Sequence, residues 1–199
     1  MADYFYSRKY LMSPRSDENE VAAVADKLGW GLIGEFSEDV SRLASREFVW
    51  GEGEELMLHY REDVITKSPC AFITGSDERR VDRVAHFLET QIRPASLEDL
   101  LDAAEAVQNL PEDYSLAVLR LGLGAPAYFD ERFAARIQDA AWSSNVEVRK
   151  AAAWATSYVE WVQFVPMLTK MAEEDPSEEV RRVAMRILGA YKAEGGTGE

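Results

Sequence analysis

The sequence predicts an α+β N-terminal unit over residues 1–93, followed over 94–199 by an all-α solenoid of about three helical hairpins, mainly α overall. Three observations predict this. The first is an echo with a step of thirty-two residues: Leu116, Val148 and Val180 open three matched segments, Leu119/Ala151/Val183 and Leu123/Ala155/Ile187 follow, and the offsets fall on one helical face. The second is a companion series at the same step, Leu97/Phe129/Trp161 and Leu101/Phe133/Val165, which places two helices in every repeat. The third is a run of β-type segments confined to the first ninety or so residues.

Taken in order, Tyr4 to Met12 is aromatic-rich and reads as a strand, broken by Ser13-Pro14. Ser16 or Asp17 caps a helix with Val21, Val24, Ala25 and Leu28 on its apolar stripe, and Gly29 stops it. Trp30 to Phe36 forms a second strand, and Ser37 to Arg46 a short helix or an irregular stretch. Gly51-Glu52-Gly53 is a loop. Glu55 to Tyr60 is a strand that turns at Arg61-Glu62-Asp63, continues through Val64 to Lys67, and ends with Cys70 to Thr74. Pro69 cannot donate to a ladder, so the chain bends there or lies at an edge. Ser76 or Asp77 caps the next helix, with Val81, Val84, Ala85 and Leu88 buried. Its Val84 and Phe87 are in phase with Leu116 and Leu119, as a degenerate zeroth repeat would be. Trp30 and Trp50 belong to the core of this unit.

Pro94 ends that helix and Ser96 caps the next. Helices then follow at 97–109, 112–123, 129–141, 146–157, 161–173 and 177–191, joined by short connections that make neighbours antiparallel. The N-terminal unit would cap one end of the array. Arg182, Arg186, Tyr191 and Lys192 would give the last helix a polar outer face, and the glycine-rich end 195–199 would fray.

The net charge of −14 is shared by both halves: twelve Lys+Arg stand against eighteen Asp+Glu in 1–94, and ten against eighteen in 95–199. Nucleic-acid binding through phosphates wants the opposite sign. The chain holds neither a bilayer-length apolar run nor a secretory leader, so a cytoplasmic, non-membrane protein is expected. The single Cys70 reads as a buried thiol in a reducing compartment.

Asn145 to Ala190 resembles the HEAT-repeat family, closest to its short, phycobilisome-lyase-like variety. The residues that carry the resemblance are Val148-Arg149 with Ala151-Ala152, then Asp175-Pro176, Glu179-Val180-Arg181 with Ala184, and Ile187-Leu188. It implies close helix packing at the small residues and an inter-repeat structural role for Arg149 and Arg181. The earlier copy has Leu116-Ala117 in place of the Val-Arg pair, so it joins by periodicity alone.

The chemical motifs are few. His59 and His86 stand apart, with no metal-ligand spacing, so no metal and no cofactor is expected. Gly29, Gly31 and Gly34 spell G-x-G-x-x-G, but they run from a helix into a strand, the reverse of a nucleotide fingerprint. Ser68, His59 and Asp63 lack a nucleophile-elbow motif. Glu173-Glu174-Asp175 with Glu178-Glu179 reads as capping and a solvated turn in preference to a docking patch. Trp161 shares the slot of Phe129 and Leu97 and is read as core. Trp154 lies off the repeat stripe, and its counterparts Gly122 and Arg186 do not demand burial; Trp142 is open to either reading.

These features point to a non-enzymatic protein-binding adaptor, with Lys150, Trp154, Arg182 and Arg186 on the second helices as contact residues and another protein, basic in one form of the reading, as partner. One form of this is an acidic immunity-type inhibitor of a basic toxin. The competing class, implied by the resemblance, is a cofactor-handling enzyme of the bilin-lyase-like kind.

Overall fold

The computed structural model describes residues 4–37, 44–53, 55–159 and 161–195, with backbone alone at 44, 45 and 192–195. The chain forms two compact units, one running to Ser96 and the other starting at Leu97.

The first unit is an antiparallel sheet with two helices on one face. Its elements are β1 (Phe5–Tyr6), β2 (Tyr10–Leu11), α1 (Glu18–Leu28), β3 (Gly31–Phe36), β4 (Ala44–Gly51), β5 (Leu56–Asp63), β6 (Pro69–Gly75) and α2 (Glu78–Ile92). The strand order is β1-β6-β5-β4-β3, with β2 also on β6. Alternation along β4–β6 sends Phe48, Trp50, Leu58, Tyr60, Ala71 and Ile73 against Val21, Val24 and Ala25 of α1 and Val81, Ala85 and Leu88 of α2. Trp30 is half-buried against the same core.

Helix α1 begins where Asp17 accepts a hydrogen bond from the Asn19 backbone N–H and ends where Gly29 takes a left-handed φ of 74°. Asp77 caps α2 in the same way, through the Arg80 N–H. Val84 and Phe87 pack on the sheet core, so their agreement in phase with the later repeats is used inside the first unit.

Several strand expectations are corrected. The segment Tyr4 to Met12 is two short strands, not one. Ser7 interrupts it, its Oγ accepting from the Ile73 N–H at 3.0 Å while Arg8 and Lys9 leave the ladder. β5 runs on through Arg61-Glu62-Asp63. The reversal comes later, at Val64 to Lys67, because the Asp63 carboxylate accepts from the Ile65 and Thr66 N–H groups at 3.1 and 2.6 Å. Lys67 closes the turn with a φ of 53°. β6 is an interior strand, not an edge, and it tolerates Pro69 because proline opens it. β4 was not anticipated; it starts within the stretch Ser37 to Arg46, of which 38–43 lie outside the described residues.

The second unit contains α3 (Leu97–Ala106), α4 (Pro111–Gly124), α5 (Glu131–Ala141), α6 (Val146–Thr156), a 3₁₀ turn (Val162–Phe164), α7 (Val165–Glu174) and α8 (Glu178–Gly195). No strand is present there among the described residues. Sequential helices pair as α3/α4, α5/α6 and α7/α8, while α4, α6 and α8 pack side by side and α3, α5 and α7 form the other row. Val148, Ala151, Ala155, Val180 and Ile187 of the repeat stripe are buried; Leu116, Leu119 and Val183 are half-buried. In the companion series Phe133 and Trp161 are buried, but Phe129 is 44 % exposed.

At the last helix Arg182 and Arg186 are exposed. Tyr191 instead anchors α8, its hydroxyl donating to the Thr156 carbonyl at 2.9 Å. The Lys192 side chain and residues 196–199 lie outside those described. No helix among the described residues is long and apolar enough to cross a membrane.

Candidate functional site

Lys150 and Trp154 lie one turn apart on α6, and Arg182 and Arg186 one turn apart on α8. Because α6 and α8 are neighbours one repeat apart, the two pairs meet. The Lys150 Nζ reaches Glu147 at 2.8 Å on its own helix and Glu179 on α8 at 3.4 Å. The Arg186 guanidinium lies 5.6 Å from the centre of the Trp154 ring. Arg182 sits between them, 3.7 Å from Glu178. The hydrogen bond from Lys150 to Glu147 raises the amine's pKa, against the pull of partial burial. The four residues thus form one strip, balanced in charge by Glu147, Glu178 and Glu179.

Arg149, next to Lys150 on α6, forms a clamp. The Arg149 Nε and Nη2 donate to the two carboxylate oxygens of Asp175 at 2.7 and 3.0 Å, and Nη1 donates to the Ser143 and Ser144 carbonyls at 3.0 and 3.2 Å. Arg181 repeats part of this, donating to the Asp175 carbonyl at 2.6 Å. Each arginine therefore ties down the carbonyl six positions before it, at the entrance to its own helix. Burial pushes the Asp175 carboxyl upward, but the Arg149 hydrogen bond, the Ser177 N–H and the two arginine charges outweigh it and hold its pKa down. Beside the clamp is a groove of about 440 Å³ lined by Trp142, Ser143, Ser144, Lys170, Glu174 and Pro176. Trp142 is 51 % exposed there, with the Lys170 amine 5.0 Å from its ring centre.

A second constellation lies on the sheet, on the face that β4–β6 turn away from α1 and α2. His59 Nδ1 is 2.9 Å from Glu47 Oε1, and His59 Nε2 is 2.8 Å from Thr74 Oγ1. Arg61 donates to the same Glu47 oxygen at 2.9 Å, and the His59 ring stacks on Phe72 at 4.5 Å. Only strand register could reveal this group, since Glu47, His59 and Thr74 come from three strands. Acid, imidazole and hydroxyl stand in the order of a nucleophilic relay. Thr74 is 2 % exposed, however, which keeps its Oγ1 out of reach of a substrate carbonyl. Ser68 and Asp63 serve the β5–β6 turn.

The remaining motifs are accounted for by structure. Burial pushes the Cys70 thiol up to about 12, well away from a reactive thiolate. Gly29 ends α1 while Gly31 and Gly34 lie in β3, so the glycine motif opens no helix. Gly122, by contrast, is buried against the Ala155 backbone, contrary to the expectation that its slot demands no burial. Among the described residues no group of three or more His, Cys, Asp or Glu side chains is placed to hold a metal ion.

Acid sensitivity follows from these contacts. Burial also pushes the Glu47 carboxyl upward, but hydrogen bonds and charge from His59 and Arg61 bring its pKa below the usual range. A depressed carboxylate contributes stability that is full above its unfolded pKa of about 4 and is lost as pH falls through the lower, folded value. The urea midpoint is expected to drop steeply below about pH 4. Glu47→Gln should have a lower midpoint at neutral pH and a shallower acid slope; an unchanged slope would count against this account.

No family model, curated protein or solved structure matches this chain.

Proposed function

We propose that the protein is a non-enzymatic, protein-binding adaptor whose three hairpins stack as a HEAT-like solenoid, with the α6–α8 strip as its contact surface. The observation that carries this reading is contact across neighbouring second helices: Trp154 meets Arg186, the equivalent position one repeat on, and Lys150 meets Glu179. Such pairing makes one surface from two repeats. It presents an aromatic ring, an arginine and a lysine together, the residue types that anchor protein interfaces being aromatic and arginine. The buried, unreactive Cys70 fits a cytoplasmic setting.

The strip balances three cations with three carboxylates, so shape and the Trp154 ring would select its partner more than net charge would. The test is an affinity capture from host lysate at low and high salt, with Trp154→Ala and Lys150→Glu beside the wild type. A stoichiometric protein captured by the wild type and lost with Trp154→Ala is the expected result. Capture that both variants retain would remove the strip from the proposal.

A further inference from the structure

Part of the excess acid of the second unit lies elsewhere, beside an exposed aromatic edge. The positions at or just before the start of the first helix of each hairpin repeat with the step of thirty-two as Leu97, Phe129 and Trp161. Phe129 and Trp161 meet edge-to-face with ring centres 5.3 Å apart, and Trp161 stacks on Phe164 at 5.8 Å. Their chain neighbours Tyr128 and Val162 are 72 % and 69 % exposed, and Phe129 itself is 44 % exposed. Large apolar side chains adjoining in this way form a patch, which scattered surface residues do not. The Trp161 Nε1–H is buried and has no hydrogen-bond acceptor. A buried indole N–H is normally bonded, so this donor marks the shelf as chemically incomplete.

Carboxylates border the shelf. Glu98 and Asp99 lie in the first turn of α3, Asp130 caps α5, and Glu131 follows it. Arg132 bridges two of them, Asp130 and Glu98. An apolar shelf with a net negative border is complementary to a chain that carries cations among apolar side chains.

We propose that the edge formed by Tyr128, Phe129, Trp161 and Val162 docks a cationic protein segment whose lysines or arginines alternate with apolar anchors. The site shares with the adaptor reading only the idea of protein binding. It uses none of the residues of the α6–α8 strip.

The probe is a fluorescent peptide of alternating Lys and Leu, read by anisotropy with the full chain. Alternating Lys-Ser and Glu-Leu peptides separate charge from apolar contact. The Lys-Leu peptide should bind roughly ten-fold or more tightly than either control. Tyr128→Ser combined with Val162→Ser, both at exposed positions, should weaken it by roughly ten-fold. Glu131→Lys should weaken it and flatten its salt dependence. In amide and indole nitrogen–proton spectra the Trp161 indole signal, identified with Trp161→Phe, should shift on binding.

Trp154→Ala should leave Lys-Leu binding unchanged, so failure of the strip and failure of this edge are separable. Equal binding of Lys-Leu and Lys-Ser would overturn the proposal, as would no Lys-Leu binding or insensitivity to the Tyr128/Val162 pair. Light scattering that showed a dimer dissolved by the same pair would also overturn it, because a second copy would then be the occupant.

Discussion

Replacing Gly122 with alanine is expected to destabilise the helical unit by roughly 3 kcal/mol, although glycine-to-alanine inside a helix ordinarily stabilises by about 1 kcal/mol. The sign reverses because of what the new methyl would meet. A Cβ on Gly122 would lie 2.3 Å from the Ala155 carbonyl oxygen and 2.8 Å from its carbonyl carbon and Cα. All three are backbone atoms of α6, so no rotamer change relieves the clash, and α4 and α6 must move apart. Separating them opens the packing of Val118, Leu121 and Leu123 in α4, which are almost fully buried. Gly189 on α8 supplies the control, since a Cβ there meets nothing within 4 Å. Gly189→Ala is expected to raise stability by about 0.5–1 kcal/mol. Urea midpoints of the two variants should therefore move in opposite directions. A neutral Gly122→Ala would mean that the crossing is wider than these distances state.

Much of the helical half was legible because the apolar stripes and capping residues agree with one another. Asn145 accepts from the N–H groups of Glu147 and Val148, and the repeat spacing places Ser177 at the equivalent entry to α8. Arg149 and Arg181, for which the HEAT resemblance implies an inter-repeat role, each donate to the loop before their own helix, and Arg149 also reaches Asp175 one repeat on. Trp154 and Arg186 are one repeat apart, so the period itself explains their meeting once α6 and α8 lie side by side. The same period did not show that Gly122, in the corresponding slot of α4, is the point of closest approach. A glycine in a sequence states that nothing projects there, not what comes near.

The sheet was less legible, for two physical reasons. Glu47 places a charge where β4 needs a buried side chain, which breaks the apolar alternation by which a strand is recognised. Its compensation comes from His59 and Arg61 on the neighbouring strand and depends on register. At the β5–β6 connection, composition pointed to the charged trio Arg61-Glu62-Asp63 as the turn, with Val64-Ile65 continuing the strand. The Asp63 side chain reverses that assignment by accepting two backbone N–H groups, so the apolar residues turn and the charged ones pair.

Asp175→Ala should be the other large loss, about 3–5 kcal/mol, because it strands the Arg149 guanidinium in a buried position. The exposed side-chain fractions, 11 % for Arg149 and 3 % for Asp175, set this pair apart from the surface ion pairs elsewhere on the chain. One further bond depends on the Asp175 side chain, whose carboxylate accepts from the Ser177 N–H at 2.8 Å; the backbone carbonyl that accepts from Arg181 is kept in the alanine variant. Asp175→Asn retains an oxygen for Ser177 but gives up the charge, so it should cost less than alanine. Arg149→Lys keeps the charge but cannot place two donors on Asp175 and another on the Ser143 and Ser144 carbonyls; a loss of roughly 2 kcal/mol is expected. Urea unfolding of the single variants and of the combined Arg149→Ala/Asp175→Ala variant gives the coupling energy. Coupling below about 1 kcal/mol would class the pair with solvent-screened surface bridges and sink this account. Strong coupling has a consequence beyond stability. The clamp joins the start of α6 to the loop that launches α8, and those two helices carry Lys150, Trp154, Arg182 and Arg186. Loosening it should broaden the Trp154 indole resonance before the helical unit unfolds, whereas a clamp with no bearing on the strip would leave that resonance sharp up to the unfolding transition.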